Sequence, residues 1–302
     1  MKAAVLHDYG PPSKLKYEDF PDPKPGPGEV LVAVKAVSIN PIDFKMRSGA
    51  AKERFPVTFP GIIGRDVAGV VRELGEGVSD FAVGDRVFAL ADATYAELCV
   101  VPAKDLAKIP EGLEMTTAAA VPLVSVTGDQ LIREATAVQP GQTILLTGAV
   151  GNVGRCALFA AREIGAKVIA GVRKNQIAEA RSLGAIEAID LSDNAAVATL
   201  GTIDGVADTV GGDVAPKLLA KVKPGGNYGS VLGPPKDAAL HPTVNIKPIT
   251  SHRSPATYVH YGEAIRDGKL TIPIGPIMPL SEAAQAHVLA EKGGAGKIIL
   301  TP

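Results

Sequence analysis

The sequence predicts an α/β protein in two parts: a partly closed β-barrel-like domain, and a doubly wound parallel sheet. Three observations predict it. Residues 1 to about 120 hold short segments rich in Val and Leu, separated by Pro, Gly and Asp clusters such as PDPKPGPGE and GEGVSDFAVGD. Between Gln142 and Lys174 an apolar run, a glycine-spaced turn, an amphipathic stretch and a second apolar run follow one another. Beyond Lys174, strand-like and helix-like segments alternate, the pattern of right-handed β–α–β crossovers.

The stretch from Gln142 to Lys174 organises the rest. Thr143–Thr147 and Lys167–Val172 read as buried strands. Between them Ala149, Gly151 and Gly154 form an A-x-G-x-x-G turn with Gly148 just ahead. Asn152 to Ile164 carries Val153, Ala157, Ala160, Ala161 and Ile164 at helical spacing, so one face is apolar. Such a turn inside a strand–turn–helix–strand unit of about thirty residues signals dinucleotide binding. Gly151 has no Cβ to hold a pyrophosphate away, and Gly154 lets the helix pack closely. The helix start at Asn152 and Val153 offers free N–H groups and a positive dipole end. A glycine turn that merely packs tightly is the competing reading. NAD enzymes usually carry Asp or Glu about twenty residues past the glycines, for the ribose 2′-hydroxyl. Here Arg173 and Lys174 hold that place, and no carboxylate occurs before Glu179. Two cations suit a 2′-phosphate, so the expected cofactor is NADPH; solvated surface cations are the alternative.

In chain order, the first part is expected to hold strands Lys2–Leu6, Leu15–Phe20, Glu29–Ile39, Val67–Leu74, Arg86–Ala89 and Glu97–Val101, then a helical stretch from Glu114 to about Ala137. The second adds helices Ile177–Leu183, Pro216–Lys221 and Pro255–Arg266. Its strands are Glu187–Ile189, Ile203–Asp208, Asn227–Leu232 and Val244–Thr250. The tail is expected to rejoin the first part with a helix Ser281–Glu291 and a strand Lys297–Thr301. The domains are therefore placed at 1–121 with 267–302, and at 122–266.

Composition narrows the function. The 302 residues contain no low-complexity tract, and a net charge of −1 argues against nucleic acid or an acidic membrane as principal partner. No stretch reaches the roughly twenty apolar residues of a membrane span. The opening MKAAVLHDYG is too short in its apolar part for a signal peptide, so Cys99 and Cys156 read as reduced thiols and the protein as cytoplasmic.

Several stretches together resemble one family: PGPGEVLVAVKAVSINPIDFKMRSG (25–49), FPGIIGRDVAGVV (59–71), GVSDFAVGDRVFA (77–89), AAAVPLVSVTGDQL (118–131), the glycine-turn unit, and GKIIL near the end. The chain is similar to the medium-chain dehydrogenase/reductase superfamily, in its zinc-free NADPH quinone oxidoreductase and alkenal/enone reductase branch. The resemblance implies a GroES-like catalytic domain, a Rossmann domain, and a cleft between them with NADPH across it. It also implies a small-molecule substrate and a possible homodimer. Zinc enzymes of the superfamily have a cysteine where this chain has Ser38-Ile39-Asn40, Gly-His-Glu where it has Gly64-Arg65-Asp66, and a four-cysteine lobe absent after Gly84-Asp85-Arg86. With the five histidines standing singly outside these motifs, no metal site is expected.

The resemblance carries over residue by residue. Asn40 matches a residue lining the active cleft, or caps a turn. Asp43 either caps the helix that starts there or serves the site. Lys45 sits where many quinone oxidoreductases have tyrosine and alkenal/enone reductases often have lysine; as a catalytic residue it would stabilise an oxyanion, and otherwise it is a solvated lysine beside Arg47. Thr127 matches a threonine near the nicotinamide. Val210-Gly211 and Gly229-Ser230-Val231-Leu232 match loops flanking ribose and nicotinamide. Lys297 matches a family lysine placed with the cofactor contacts, or is a surface charge. The implied activity is hydride transfer from NADPH to a quinone or an α,β-unsaturated carbonyl. The alternative is an NADPH-binding redox sensor or structural, crystallin-like protein with little turnover.

Overall fold

A computed structural model describes every residue from Met1 to Pro302. The chain divides into two units, Met1–Leu123 with Arg253–Pro302, and Val124–His252. The first unit begins with β1 (Lys2–Leu6), β2 (Leu15–Asp19), β3 (Glu29–Ser38), α1 (Pro41–Ser48), β4 (Gly61–Ile62) and β5 (Asp66–Leu74). It continues with β6 (Arg86–Leu90), β7 (Leu98–Pro102), β8 (Leu106–Lys108) and α2 (Met115–Ala119). The boundary falls inside α3 (Pro122–Gln130), which runs on as a π-helical turn, Leu131–Thr136. The second unit then holds β9 (Thr143–Thr147), α4 (Asn152–Ile164), β10 (Lys167–Val172), α5 (Ile177–Ser182), β11 (Glu187–Asp190) and α6 (Asn194–Thr199). It closes with β12 (Ile203–Asp208), α7 (Ala215–Leu219), β13 (Val222–Ser230) and β14 (Asn245–Pro248). The chain returns to the first unit through α8 (Pro255–Arg266), β15 (Ile274–Pro279), α9 (Ala283–Lys292) and β16 (Lys297–Thr301).

The second unit is the doubly wound sheet that the alternation predicts. Its six strands are all parallel, in the order β11-β10-β9-β12-β13-β14. The chain winds outward from β9 on one side and resumes at β12 on the other. That reversal opens a crevice at the carboxyl ends of β9 and β12, the usual ligand position in such sheets. Leu146, Ala157, Leu158, Ala161, Val168 and Ala170 belong to one apolar cluster beneath it. One expected element is corrected here. The helical stretch expected from Glu114 to about Ala137 is interrupted between Ala119 and Pro122, because proline lacks an N–H and pushes the residue before it out of helical conformation. Helix α6 was missed although its cap is legible: the Asp193 carboxylate accepts the N–H groups of Ala195 and Ala196, at 2.8 and 3.3 Å.

The first unit is β-rich, with a sheet β2-β1-β4 and a seven-stranded sheet in which β16, β3, β5, β6 and β8 follow in order and β7 also pairs with β3. Register in the larger sheet determines what meets at its centre. β16 runs antiparallel to β3 with Ile299 opposite Ser38, and Ile39 N–H reaches Ile298 O at 3.0 Å, so the next pair outward is Lys297 and Asn40. β3 pairs with β5 at Ala36 and Ala68, so Asp66 falls opposite Ser38 two residues on. Helix α8, expected in the cofactor-binding domain, belongs to the first unit instead. Its Tyr258 and Tyr261 are fully buried, the Tyr258 ring lies 6.0 Å from that of Phe88, and Gly262 leaves room for Pro110 and Leu113. Two buried tyrosines hold a helix far more firmly than its place in the sequence suggests. The return therefore comes at Arg253, not at residue 267.

Candidate functional site

Each unit holds one group of candidate residues. In the second unit, Gly148 ends β9 at φ +64°, a backbone conformation costly for any side chain, and a Cβ there would sit 2.6 Å from Thr209 Oγ1. A Cβ on Gly154 would collide with the Gly148 carbonyl oxygen, whereas at Gly151 only that oxygen, at 3.2 Å, comes near. The turn is thus packed on its inner side and open at Gly151, next to the first residues of α4, Asn152 and Val153. A pyrophosphate fits such a cradle. Ala149 is buried beneath the turn. Arg155 braces it: its Nε–H donates to Val150 O at 3.0 Å, and its Nη2 pairs with Glu179 of α5.

Arg173 and Lys174 follow β10 and are both exposed; Arg173 begins the short turn Lys174–Gln176, accepting the Gln176 N–H at 2.8 Å. Beside them stands a carboxylate that sequence spacing did not find. The β10–β11 register sets Asp190 opposite Val172, one residue from Arg173. Ser192, through its O–H and N–H, and behind it the Lys174 charge hold the Asp190 carboxyl below its usual range. The signal was an aspartate ending the next strand, not one in the same strand.

At the ends of β12 and β13, Gly211 lies against Leu232, where a Cβ on Gly211 would be 2.8 Å from Leu232 Cδ1, and Val210 lies by Gly148, where a Cβ would be 3.1 Å from Val210 Cγ2. Ser230 is buried and its Oγ accepts the Leu232 N–H at 3.0 Å, while Val231 N–H reaches Asp208 O at 3.1 Å. Gly229 admits the π-helical turn, whose Ala135 Cβ would be 2.9 Å from a Cβ there. Thr127 is half-buried on α3, with its Oγ1 3.0 Å from Ser251 Oγ, and the next residue, Gly128, touches the first turns of α4.

The first unit holds a buried polar cluster built from distant parts of the chain. Asp66 Oδ2 accepts the Ser38 O–H at 2.5 Å and the Asn40 amide N–H at 2.8 Å, and lies 3.6 Å from Lys297 Nζ. Asp66 Oδ1 accepts the Leu123 N–H at 2.8 Å. Lys297 Nζ also donates to Asn40 Oδ1. Asn40 is 1% exposed and Lys297 2%. Burying either charge of the Lys297–Asp66 pair alone would cost several kcal/mol, so each needs the other. Asn40 is expected either to line the active cleft or to cap a turn; it stands at the N-cap of α1, and both ends of its amide are engaged inside the protein, which makes it a spacer between ammonium and carboxylate. Lys297 was expected either among the cofactor contacts or at the surface; the β16–β3 register instead buries it against Asn40 and Asp66.

A second chain of hydrogen bonds joins this cluster through Asp43. Its Oδ2 accepts the Asn40 backbone N–H at 2.8 Å, which caps α1, and the Tyr95 O–H at 3.0 Å. Its Oδ1 is buried with no partner. Burial, aided by the charge of Asp66, pushes the Asp43 carboxyl up to about 7 against the pull of its two donors and Lys297. His287 Nε2 lies 3.2 Å from Tyr95 Oη, and Arg47 Nη1 lies 3.2 Å from His287 Nδ1. Burial and the Arg47 cation push His287 down to about 3, so the ring is neutral. A guanidinium only donates, so Nδ1 accepts, Nε2–H donates to Tyr95, and Tyr95 donates to Asp43. Arg47 completes the line by donating to Gly10 O at 3.0 Å and to Glu291 at 2.6 Å. Arg47, expected as the exposed neighbour of Lys45, is buried; so is His287, expected outside any site. Lys45 is exposed on a helix whose buried face is Asp43, Met46 and Arg47.

The family described as alcohol dehydrogenase GroES-like domain matches residues 26–111, and that described as zinc-binding dehydrogenase matches residues 183–300. A quinone oxidoreductase of Pseudomonas aeruginosa is 34% identical over 97% of this chain and 97% of its own. The chain belongs to the medium-chain dehydrogenase/reductase superfamily. An NADPH-dependent alkenal/one oxidoreductase of Arabidopsis thaliana is 31% identical over 100% of this chain and 80% of its own. Among solved structures, the quinone oxidoreductase from Coxiella burnetii superposes with a TM-score of 0.90, at 29% identity over 100% of this chain and 99% of that one. Ser38 donates to Asp66, which stands 3.6 Å from Lys297 Nζ, and no group of three or more His, Cys, Asp or Glu that could hold a metal ion is present. No helix is long and apolar enough to cross a membrane.

Proposed function

We propose that this chain is an NADPH-dependent, zinc-independent oxidoreductase that delivers hydride to a quinone or to an alkene conjugated with a carbonyl. The observation that carries the reading is the closed Ser38–Asn40–Asp66–Lys297 cluster. In the stretches where relatives with zinc carry their cysteine and Gly-His-Glu, Ser38, Asn40 and Asp66 offer a hydroxyl, an amide and a carboxylate already balanced by lysine. The acceptor must therefore be electron-poor by itself, as quinones and enones are. The named activities of the Pseudomonas and Arabidopsis relatives support the same two classes.

When bound, the reduced nicotinamide supplies the hydride. The turn from Gly148 to Gly154 and the start of α4 hold the pyrophosphate, and Arg173 and Lys174 hold the 2′-phosphate through charge-assisted bonds. Thr127, Val210, Gly211 and residues 229–232 border the ribose and nicotinamide. Asn40, Asp43 and Lys297 fix the start of α1 without touching substrate. Lys45, exposed on that helix, donates to the carbonyl oxygen as negative charge develops. The test is NADPH oxidation by the purified chain against quinones, alkenals, alkenones and simple alcohols. Turnover restricted to the first three groups is expected. Binding of NADPH without turnover of any acceptor would instead support a sensor or structural protein.

A further inference from the structure

We infer that Asp208 is a positioning residue that sets the loop after β12 so that the nicotinamide half of the cofactor finds its place. The inference rests on the reading above, that NADPH binds at the carboxyl ends of β9 and β12.

Asp208 is the last residue of β12 and is 1% exposed. Its Oδ1 accepts three hydrogen bonds: from Thr147 Oγ1 at 2.7 Å, from Val210 N at 3.0 Å and from Gly211 N at 2.9 Å. Its Oδ2 accepts the Tyr228 O–H at 2.8 Å. All four donors are neutral. Thr147 Oγ1 in turn accepts the Thr209 N–H at 2.8 Å, and Thr209 Oγ1 donates back to Thr147 O at 2.7 Å. Two buried side chains therefore hold three consecutive loop N–H groups. A carboxylate buried without a cation is an expensive way to tie down a connection that only has to lead into α7.

What the tether controls lies on both sides of the loop. On one side Thr209 and Val210 press on Gly148: a Cβ there would be 2.6 Å from Thr209 Oγ1 and 3.1 Å from Val210 Cγ2. On the other side Gly211 touches Leu232. Val210 and Leu232 are left 51% and 49% exposed, two large apolar side chains at the open end of the sheet. Fixed by Asp208, they form an apolar rim beside the glycine turn, suited to a flat ring such as nicotinamide. The adenosine half is held elsewhere, by Arg173 and Lys174.

The two halves can be weighed separately. NADPH binding, followed by its fluorescence, is compared with calorimetric binding of adenosine 2′,5′-bisphosphate, the half that lacks nicotinamide. Asp208→Ala and the near-isosteric Thr147→Val should each raise the NADPH Kd roughly tenfold and leave the bisphosphate within about twofold. Asp208→Asn, which keeps an oxygen for the three Oδ1 donors, should restore most of the NADPH affinity. Tyr228→Phe removes the bond on the far side of the carboxylate, so it should lower Tm without changing either Kd. If Asp208→Ala does not fold, Thr147→Val and Asp208→Asn carry the comparison. Unchanged NADPH affinity in Thr147→Val and Asp208→Ala, parallel loss of both ligands, or a Tyr228→Phe loss equal to that of Asp208→Ala would each overturn the assignment. A wild-type protein that binds neither ligand would sink the cofactor reading itself.

Discussion

Replacing Asp43 by Asn should uncover a pH dependence of stability that the wild-type protein conceals. Burial pushes the Asp43 carboxyl up to about 7 from its ordinary 3.8. Between those values the folded protein holds one proton more than the unfolded chain, so this group's stabilisation falls as pH rises, by about 1.4 kcal/mol per unit. His287, at the other end of the same hydrogen-bond chain, is pushed down to about 3 from 6.5. There the folded protein holds one proton fewer, and stability rises with pH by the same slope. The two windows overlap from 3.8 to 6.5, and in the overlap the slopes oppose and cancel. Asn at position 43 still accepts the Asn40 N–H and the Tyr95 O–H but cannot ionise. Relative to wild type, the variant should therefore gain on the order of 4 kcal/mol between about pH 4 and 6.5. His287→Gln should lose a similar amount over the same range. Urea midpoints followed by circular dichroism at half-unit intervals give the difference curves, from which all other titrating groups drop out. A difference between Asp43→Asn and wild type that stays constant across the window would show that Asp43 ionises at its ordinary pH in the folded protein.

Arg173→Asp should erase or reverse an NADPH preference of about ten- to a hundredfold in kcat/KM, measured with both cofactors; a wild type that favours NADH refutes the reading of that strand end. Elemental analysis should find no stoichiometric zinc, and chelators should leave folding and activity unchanged; one zinc per chain, lost together with activity, overturns this. Lys45→Met should lower kcat/KM about ten- to a hundredfold with an enone, and less with a quinone, whose product spreads its charge; equal, unaltered rates remove Lys45 from the site.

The second unit was legible because its signals are local. A glycine turn, the strand before it and the helix after it lie within one stretch, and the spacing alone places Arg173 at the strand end. The first unit hides its chemistry in pairings between residues far apart. Arg47 looks solvated beside Lys45, and His287 stands alone in a helix; only α1 and α9 packed together show that both are buried. Asp66, in the triplet that stands for Gly-His-Glu, has as partner a lysine that sequence spacing gives no reason to put there. Short elements such as β4, two residues long, carry no periodicity at all.

The first unit is stitched from both ends of the chain, with Asn40 and Lys297 separated by 257 positions and Arg47 and Glu291 by 244. During synthesis the second unit, one continuous segment, can close while the ribosome is still working. The first unit cannot. Until β16 emerges, β3 lacks the partner that pairs with Val37 and Ser38 on the edge away from β5, and the Asp66 carboxylate has no ammonium beside it. An unpaired strand end next to an unbalanced charge invites association with other chains. Limited proteolysis of chains ending before Lys297 should accordingly leave residues 124–252 protected and cut the remainder; equal protection of both units would contradict this order of assembly. The pairing of β16 is thus the step that turns an adhesive nascent sheet into a closed one.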